Sequence, residues 1–213
     1  MEDHSGFKRA LSFSWAYAFF QNLVGARRGR AWIAENLWRV QPGQKVVDMG
    51  CGPGTILSVL PKDISYVGFD ISDTYIETAQ QKYESRKNIL FIKSSVRNLL
   101  EQHNQRLEGA DIILCNGLLH HLDDAESWEM LRLAKKIMKN DGRLVCVEPA
   151  FLIHQSKLSK WIMQKDRGCY IRTESQWKTL IGEVFDVFST SISVSLIRIP
   201  YVHIFIECRK ASV

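Results

Sequence analysis

A turn that holds three glycines within five residues is the feature that most constrains this chain. The segment from Lys45 to Thr55 reads Lys-Val-Val-Asp-Met-Gly-Cys-Gly-Pro-Gly-Thr, so a short apolar strand leads directly into the turn. Glycine has no Cβ, which lets the backbone adopt positive φ and lets a ligand touch the main chain. We expect a helix N-terminus after Thr55, whose N–H groups favour carboxylate or phosphate. The segment therefore predicts a backbone that turns sharply around a small molecule.

Two acids accompany this turn. Asp48 lies near the end of the first strand, and Asp70 ends a second apolar strand 22 residues later. This is about one β-α-β step, and in an open parallel sheet an acid at that distance reaches a ribose hydroxyl pair. The alternative role for Asp70 is a helix cap before Ser72. The dinucleotide pattern G-x-G-x-x-G fails, because Thr55 and Leu57 stand where its last glycine is needed.

The order Asp-x-Gly-x-Gly-x-Gly resembles motif I of the class I S-adenosylmethionine-dependent methyltransferases. Further segments resemble later motifs of that family in the correct order: Val67–Asp70, Asp111–Asp124 and Leu133–Glu148. Alternating strands and helices independently predict a parallel sheet with helices on both faces. The resemblance implies a Rossmann-like α/β fold, with a seven-stranded, mostly parallel sheet in the order 3-2-1-4-5-7-6.

Length and composition favour a single domain over residues 1–213. The chain has 46% hydrophobic residues and no linker-like stretch between residues 40 and 208. We expect residues 1–40 to form an N-terminal helical cap and residues 150–173 an inserted substrate or lid segment. Leu11–Val24 is too short to span a bilayer and has helical spacing, so we expect no stable membrane insertion; docking on a membrane surface is the alternative.

Charge and cysteine usage indicate which partners and which cellular compartment to expect. The net charge of +5 is compatible with an anionic substrate, but a solvated surface is the favoured explanation. No basic run interleaved with aromatic residues marks a nucleic-acid groove. The five cysteines are widely spaced, which favours reduced thiols in a cytoplasmic protein over a disulfide framework or a zinc site.

The spacing of apolar residues predicts the remaining elements. A helix is expected over Arg30–Arg39, a short one after Thr55, one that begins at Ser72 and runs through Tyr83, and a long one from Asp123 or Asp124 to Asp141-Gly142. Thr173 and Gln176 form a predicted capping box for the last helix. The predicted strands are Lys45–Met49, Tyr66–Phe69, Ile89–Lys93, Asp111–Cys115 and Arg143–Glu148, followed by a hairpin of Val187–Ser195 and Tyr201–Arg209.

The resemblance also implies roles in binding S-adenosylmethionine. Asp48 would orient the amino-acid part through the loop, Asp70 would bind the ribose hydroxyls, and Ile71 would lie against the adenine. The third motif usually supplies an acid to the adenine, whereas this chain has Ser95, a weaker neutral acceptor. The full predicted cofactor site is Asp48, Gly50, Cys51, Gly52, Gly54, Asp70, Ile71, Ser95, Val96, Asn116, Gly117 and Leu118.

Two adjacent histidines are the candidate catalytic residues. His120 and His121 follow the fourth strand, and an imidazole with an unperturbed pKa of about 6.5 can remove a proton from a hydroxyl acceptor. Only one of the pair is expected to face the pocket, and we favour His121; packing or a place around the cofactor is the alternative. We expect no metal site, because neighbouring histidines rarely bind one ion without a third, distant ligand.

The inserted segment supplies the candidate substrate contacts. Asp166, Arg167, Tyr170 and Arg172 are predicted to hold a polar or anionic acceptor, while a surface Asp–Arg pair that shapes the loop is an equal alternative. Tyr17 on the N-terminal helix is a candidate lid residue, with core packing as the alternative. The stretch Asp-Arg-Gly…Arg-Thr and the later Arg-Ile-Pro-Tyr resemble a bacterial subset of small-molecule and sugar-pathway methyltransferases.

These observations predict a methyltransferase that acts on a small molecule, at a hydroxyl oxygen, as a monomer or homodimer. DNA is not an expected partner, since the fourth motif lacks the Pro-Pro pair of amino-methylating DNA enzymes. An RNA or protein methyltransferase and a non-catalytic regulatory scaffold that binds the same cofactor remain alternatives. A nicotinamide-dependent oxidoreductase is disfavoured by the glycine order.

Overall fold

The computed structural model describes residues 26–101, 105–166 and 168–211. Tyr17, most of the predicted helical cap and Arg167 lie outside these ranges. The α-helices are Ala26–Ile33 (α1), Asp73–Tyr83 (α2), Val96–Glu101 (α3), Asp124–Ile137 (α4), Lys157–Met163 (α5) and Glu174–Gly182 (α6). The strands are Lys45–Met49 (β1), Ser65–Asp70 (β2), Ile89–Lys93 (β3), Ala110–Asn116 (β4), Met138–Phe151 (β5), Arg172–Thr173 (β6), Val187–Ser193 (β7) and His203–Arg209 (β8).

The strands form one sheet in the order β3-β2-β1-β4-β5-β8-β7, with β6 paired to β5 beside that path. Strands β1 to β6 pair in parallel, while β8 runs antiparallel to both β5 and β7. The two-residue β6 is an eighth strand that the sequence did not predict. When β6 is left out of the numbering, the order is the predicted 3-2-1-4-5-7-6.

Two hydrophobic layers cover the two faces of the sheet. Successive residues of a strand point to opposite faces, so Val46 packs in one layer and Val47 in the other. One layer contains the inner residues of α4 and α6, and the other contains those of α1 and α2. With both faces covered, the loops at the carboxyl edges of the parallel strands are the expected place for a ligand site.

Helix starts agree with the predicted caps. Ser72 accepts the N–H of Tyr75 and begins α2. Asp123 and Thr173 each close a complete capping box at α4 and α6. Helix ends agree less well, because α4 stops at Ile137 and not at Asp141-Gly142. The strand β5 begins at Met138, and its pairing with β4 shifts register between Ala110 and Ile112, so residues 139–142 bulge from the strand.

The segment after the glycine turn differs from the prediction. Thr55–Ser58 is a single turn of 3-10 helix, so no long helix begins there to offer an anion site at its N-terminus. Upstream, α1 continues into a π-helical turn at Ala34–Trp38, in place of a regular helix through Arg39.

All five cysteines are free thiols. Among the described helices, none has the length and apolar character needed to cross a membrane.

Candidate functional site

The glycine turn takes the backbone conformation that the sequence predicted. Gly50, Gly52 and Gly54 have φ values of 70°, 52° and 67°. A Cβ on Gly50 would lie 2.9 Å from the Cδ1 atom of Leu118, so the glycine lets this turn pack on the loop after β4. A Cβ on Gly52 would meet nothing within 4 Å. The turn therefore presents open main chain at Gly52, at the carboxyl edge of β1.

Asp70 holds this turn in place. Its Oδ2 accepts the N–H of Gly52 at 3.0 Å, and its Oδ1 accepts the N–H of Ser72 at 2.9 Å. Since Ser72 provides the side-chain cap of α2, Asp70 is not that cap. Ile71 follows at the edge with 74% of its surface exposed. Both positions are open to a ligand at this edge, and their roles toward ribose and adenine stay predictions.

Asp48 lies beneath the turn. Only 2% of its surface is exposed, and its Oδ2 accepts the Tyr66 hydroxyl at 2.6 Å. Burial raises the pKa of Asp48 to about 7, against the hydrogen bond from Tyr66, which lowers it. Asp48 is therefore suited to act on a ligand only through the backbone above it.

The loop after β4 contributes one buried donor without a partner. Asn116 Oδ1 accepts Trp38 Nε1 at 3.2 Å, while its Nδ2 is buried with no hydrogen bond. Gly117 follows with a φ of 63°. The Ser95 hydroxyl accepts the N–H of Asn98 in the first turn of α3, which begins at Val96. Ser95 therefore supports α3, and its predicted contact with adenine would have to share that hydroxyl.

These features fit S-adenosylmethionine. Gly52 leaves room against the main chain, Asp70 offers carboxylate oxygens to hydroxyls, and Asn116 Nδ2 is a donor for the carboxylate of an amino-acid group. They surround one edge formed by β1, β2 and β4. These groups can therefore bind the cofactor that the sequence implied.

Glu148 organises the loop that carries the two histidines. Its fully buried carboxylate accepts the N–H groups of Leu118 and Leu119 at 2.9 Å each, and that of His120 at 3.3 Å. It also bonds His120 Nδ1 at 2.7 Å. One side chain at the end of β5 thereby fixes both the backbone and the first histidine ring.

Both ring nitrogens of His120 are bonded to carboxylates. Nε2 lies 3.3 Å from Asp166 Oδ1, opposite the bond to Glu148. Burial alone lowers the pKa of His120, but the hydrogen bonds to Asp166 and Glu148 outweigh it and raise the pKa to about 9. His120 is therefore a buried imidazolium at neutral pH. The predicted catalytic role does not suit His120, because neither nitrogen has a lone pair to accept a proton.

The inserted segment folds back onto His120. A Cβ on Gly168 would clash with His120 Cδ2, and the N–H of Tyr170 bonds the His120 carbonyl at 2.9 Å. Asp166 also accepts the Tyr201 hydroxyl at 2.6 Å and the N–H of Gly168 at 2.8 Å. We call Asp166 and residues 168–172 the closing segment. It lies across the carboxyl edges of β4 and β5.

Arg172 fastens the end of the closing segment. Its five N–H groups bond the carbonyls of Leu119, Tyr170 and Leu122 and, twice, Asp124 Oδ1. The predicted substrate contact by Arg172 is therefore not supported, since no donor is left for a ligand. Asp166 is likewise occupied by His120 and Tyr201. Of the described substrate candidates, Tyr170 is the one with an exposed side chain, at 44%.

Sequence reasoning missed Glu148, Gly168 and Tyr201 as parts of this site. The sequence could have indicated Glu148, because an acid near the carboxyl end of a buried parallel strand lies at the edge of the sheet where ligands bind. A third possible metal ligand, which the sequence did not predict, lies beside the two histidines. Asp166 brings a carboxylate oxygen within 4.8 Å of nitrogens of His120 and His121. The hydrogen bonds described above already engage His120 and Asp166, and the absence of a metal stays a prediction.

Comparisons with known proteins agree with this geometry. A family model described as a methyltransferase domain matches residues 41–186, more than half of the chain. The chain is 34% identical over 106 residues to a ubiquinone biosynthesis O-methyltransferase of Glaesserella parasuis, covering 48% of this chain and 44% of that protein. It is 27% identical over 143 residues to ribosomal RNA large subunit methyltransferase G of Aeromonas salmonicida, covering 64% and 37%.

Among solved structures, the pyocyanin biosynthetic protein PhzM aligns with a TM-score of 0.66 at 18% identity, over 86% of this chain and 55% of that chain. This likeness shows the fold. The chain spans less than half the length of the curated relatives it matches. The family match, the glycine turn and the strand order lead to one conclusion: the chain belongs to the methyltransferase-domain family, among the class I members that take S-adenosylmethionine as methyl donor.

Proposed function

We propose that this domain transfers a methyl group from S-adenosylmethionine to a hydroxyl oxygen of a small molecule. The observation that carries the proposal is the closing segment, which lies across the edge next to the two histidines. A site covered by a fastened segment suits a small acceptor better than a polymer, which needs an open groove. The O-methyltransferase among the relatives supports the choice of oxygen.

The cofactor supplies a methyl carbon already activated by a sulfonium leaving group. The protein has to align the acceptor with that carbon and exclude water. Open main chain at Gly52, the carboxylate of Asp70 and the amide of Asn116 are the groups we assign to holding the donor. We assign the exposed ring of Tyr170 to the acceptor side of the edge.

We propose His121 as the general base. Both nitrogens of His120 are engaged, whereas His121 is exposed on the same loop, where a neutral imidazole can accept a hydroxyl proton. The N–H of His121 bonds the Leu118 carbonyl at 2.9 Å, and the two histidine rings lie 4.1 Å apart. The backbone that carries His121 is thus held by the same loop that Glu148 organises.

The proposal does not include an anionic acceptor. Of the two cations predicted to attract one, Arg167 lies outside the described residues, and all five N–H donors of Arg172 bond groups within the protein. We assign the reaction to the cytoplasm, as five free thiols suit a reducing compartment, and to a monomer or homodimer.

The test is transfer from S-adenosylmethionine with an isotopically labelled methyl group to fractionated cell extract. We expect label in the small-molecule fraction, as a methyl ether. His121→Gln should lower turnover about 10²- to 10⁴-fold, as loss of a general base does, while S-adenosylhomocysteine binding stays unchanged. His154→Gln, an exposed histidine of the same inserted region, is the matched control.

Other outcomes would contradict the proposal in distinct ways. Label in the RNA fraction would favour the activity named for the ribosomal RNA relative, and label in protein would favour a protein acceptor. Cofactor binding without transfer to any fraction would favour the non-catalytic scaffold. Unchanged turnover in His121→Gln would remove His121 from the mechanism and leave the acceptor assignment standing.

A further inference from the structure

We propose that the inserted region docks on an anionic membrane surface through the outward side of α5. We call this side the docking face and define it by three apolar residues and three lysines: Ile153, Leu158, Trp161, Lys157, Lys160 and Lys165. This proposal goes beyond methyl transfer and does not depend on it, because lipid binding is measured without donor or acceptor.

The apolar part of the docking face is unusually exposed. Ile153 is 95% exposed, and Leu158 and Trp161 are each 58% exposed. Leu158 and Trp161 are three residues apart in a helix and therefore share one side of it. Large apolar side chains grouped on one exposed segment mark an interaction site more often than single exposed ones do.

The segment that carries these side chains has charge of one sign. Residues 151–165 contain three lysines and no aspartate or glutamate. All three lysines are exposed, and in the part of the chain that the structure describes none of them forms an ion pair. Trp and Leu beside Lys on a short helix form the pattern of segments that lie in the headgroup region of a bilayer.

The inner side of α5 fixes which side faces out. Ser159 and Met163 are buried against the protein. Gln155 Nε2 bonds Ser159 Oγ at 2.7 Å and Met163 Sδ at 2.8 Å, and Ser156 caps the helix. Rotating the docking face inward would break these contacts, so Trp161 and Leu158 stay turned outward.

The positive charge of the docking face favours an anionic membrane over a second copy of the chain. A second copy of the chain would bring the same lysines together across a two-fold axis, where like charges repel. Anionic phospholipid headgroups instead attract each lysine and accommodate the indole of Trp161 at the interface. Asp166 follows α5 by three residues, so docking would bring the closing segment near the bilayer.

The test is co-sedimentation of the full chain with vesicles of phosphatidylglycerol and phosphatidylcholine, compared with vesicles of phosphatidylcholine alone. We expect binding to the anionic vesicles, weakened by salt. Leu158→Gln with Trp161→Gln should weaken binding about tenfold, because the apolar area that enters the interface is lost. Val187→Gln with Val194→Gln, at exposed positions in and after β7, is the matched control and should bind as the unmodified protein does.

The lysines are tested with a second charge-matched pair of variants. Changing Lys157, Lys160 and Lys165 to Glu should abolish binding, since each lysine near an anionic surface contributes about fivefold. Changing the exposed Lys62, Lys82 and Lys87 to Glu alters the net charge equally and should keep most of the binding.

Three results would overturn the proposal. The first is equal sedimentation with neutral and anionic vesicles, and the second is equal loss in both lysine variants. The third is absence of binding to the anionic vesicles. If Leu158→Gln with Trp161→Gln then also changes the oligomeric state, measured by light scattering, the face is assigned to contact between copies. Methyl transfer can fail or succeed in any of these cases, so the two proposals are tested separately.

Discussion

His120 Nε2 lies 3.3 Å from Asp166 Oδ1, while Nδ1 of the same ring lies 2.7 Å from Glu148 Oε2. This places a buried imidazolium between two carboxylates that come from the end of β5 and from the closing segment. The same histidine supplies the carbonyl that receives the Tyr170 N–H. His120 is thus the contact through which the loop after β4 holds the closing segment.

The first prediction concerns pH. Folding raises the pKa of His120 from 6.5 to about 9, so its contribution to stability is complete below about pH 6.5 and is lost as the pH rises through about 9. The contribution is on the order of 3 kcal/mol. Urea unfolding at pH 6 and pH 10 should show a large stability gap between the unmodified protein and His120→Gln at pH 6 and a small gap at pH 10. An equal gap at both values would mean that His120 is neutral in the fold.

The second prediction uses two glycines. Gly168→Ala would place its Cβ in a clash with the His120 ring, so the closing segment must move away and the melting temperature should fall by several degrees, for a cost of about 1–3 kcal/mol. Gly182→Ala meets only ordinary contact at 3.8 Å and should be neutral or stabilising. Equal melting temperatures for the two variants would show that the segment does not pack on His120.

The third prediction concerns Arg172. Arg172→Lys keeps the charge but cannot reproduce five hydrogen bonds, so it should destabilise the protein by about 3 kcal/mol, because buried carbonyls such as that of Leu119 lose their donor. Arg209→Lys changes an exposed pair with Glu207 and should cost less than about 1 kcal/mol. Both are measured by denaturant unfolding. Similar costs at the two sites would contradict the fastening role of Arg172.

The fourth prediction separates backbone strain from ligand contact. Gly52 and Gly109 have φ values of 52° and 71°, and a Cβ on either meets nothing within 4 Å. Alanine at each position should therefore lose a similar stability, about 1–2 kcal/mol. Calorimetric titration with S-adenosylhomocysteine should show weaker binding for Gly52→Ala and unchanged binding for Gly109→Ala. Full affinity in Gly52→Ala would remove the turn from the cofactor site.

The fifth prediction concerns the buried acid below the turn. Folding raises the pKa of Asp48 from 3.8 to about 7, chiefly through burial, so the protein loses stability as the pH rises through that interval. Asp48→Asn removes the ionisation and keeps an acceptor for Tyr66, so it should be more stable than the unmodified protein at pH 8. Thermal unfolding between pH 4 and pH 8 measures this, and a parallel pH dependence in both proteins would show that Asp48 ionises without cost.

Sequence patterns predicted correctly those features that depend on interactions between residues near each other in the chain. Alternation of strands and helices predicted a parallel sheet, and capping residues predicted the starts of α2, α4 and α6, because these depend on backbone geometry within a few residues. The family and its sheet order were implied by the resemblance of the glycine turn and the later segments to the methyltransferase motifs. The end of α4 was wrong, since its last turn gives way to pairing between β4 and β5. That pairing joins residues far apart in the chain, and no local signal reports it.

The sequence by itself determined the donor side of this protein: a glycine turn, Asp70 and the strands that place them at one edge. Tertiary structure alone decided the roles of His120, Asp166 and Arg172. The sequence indicated His120 as a catalytic candidate and Asp166 and Arg172 as substrate contacts. In the fold His120 and Asp166 bond each other, and Arg172 bonds Asp124 and backbone carbonyls, because an ionised or polar group that leaves water must find partners within the protein. Which partners it finds depends on contacts between segments that only folding brings together.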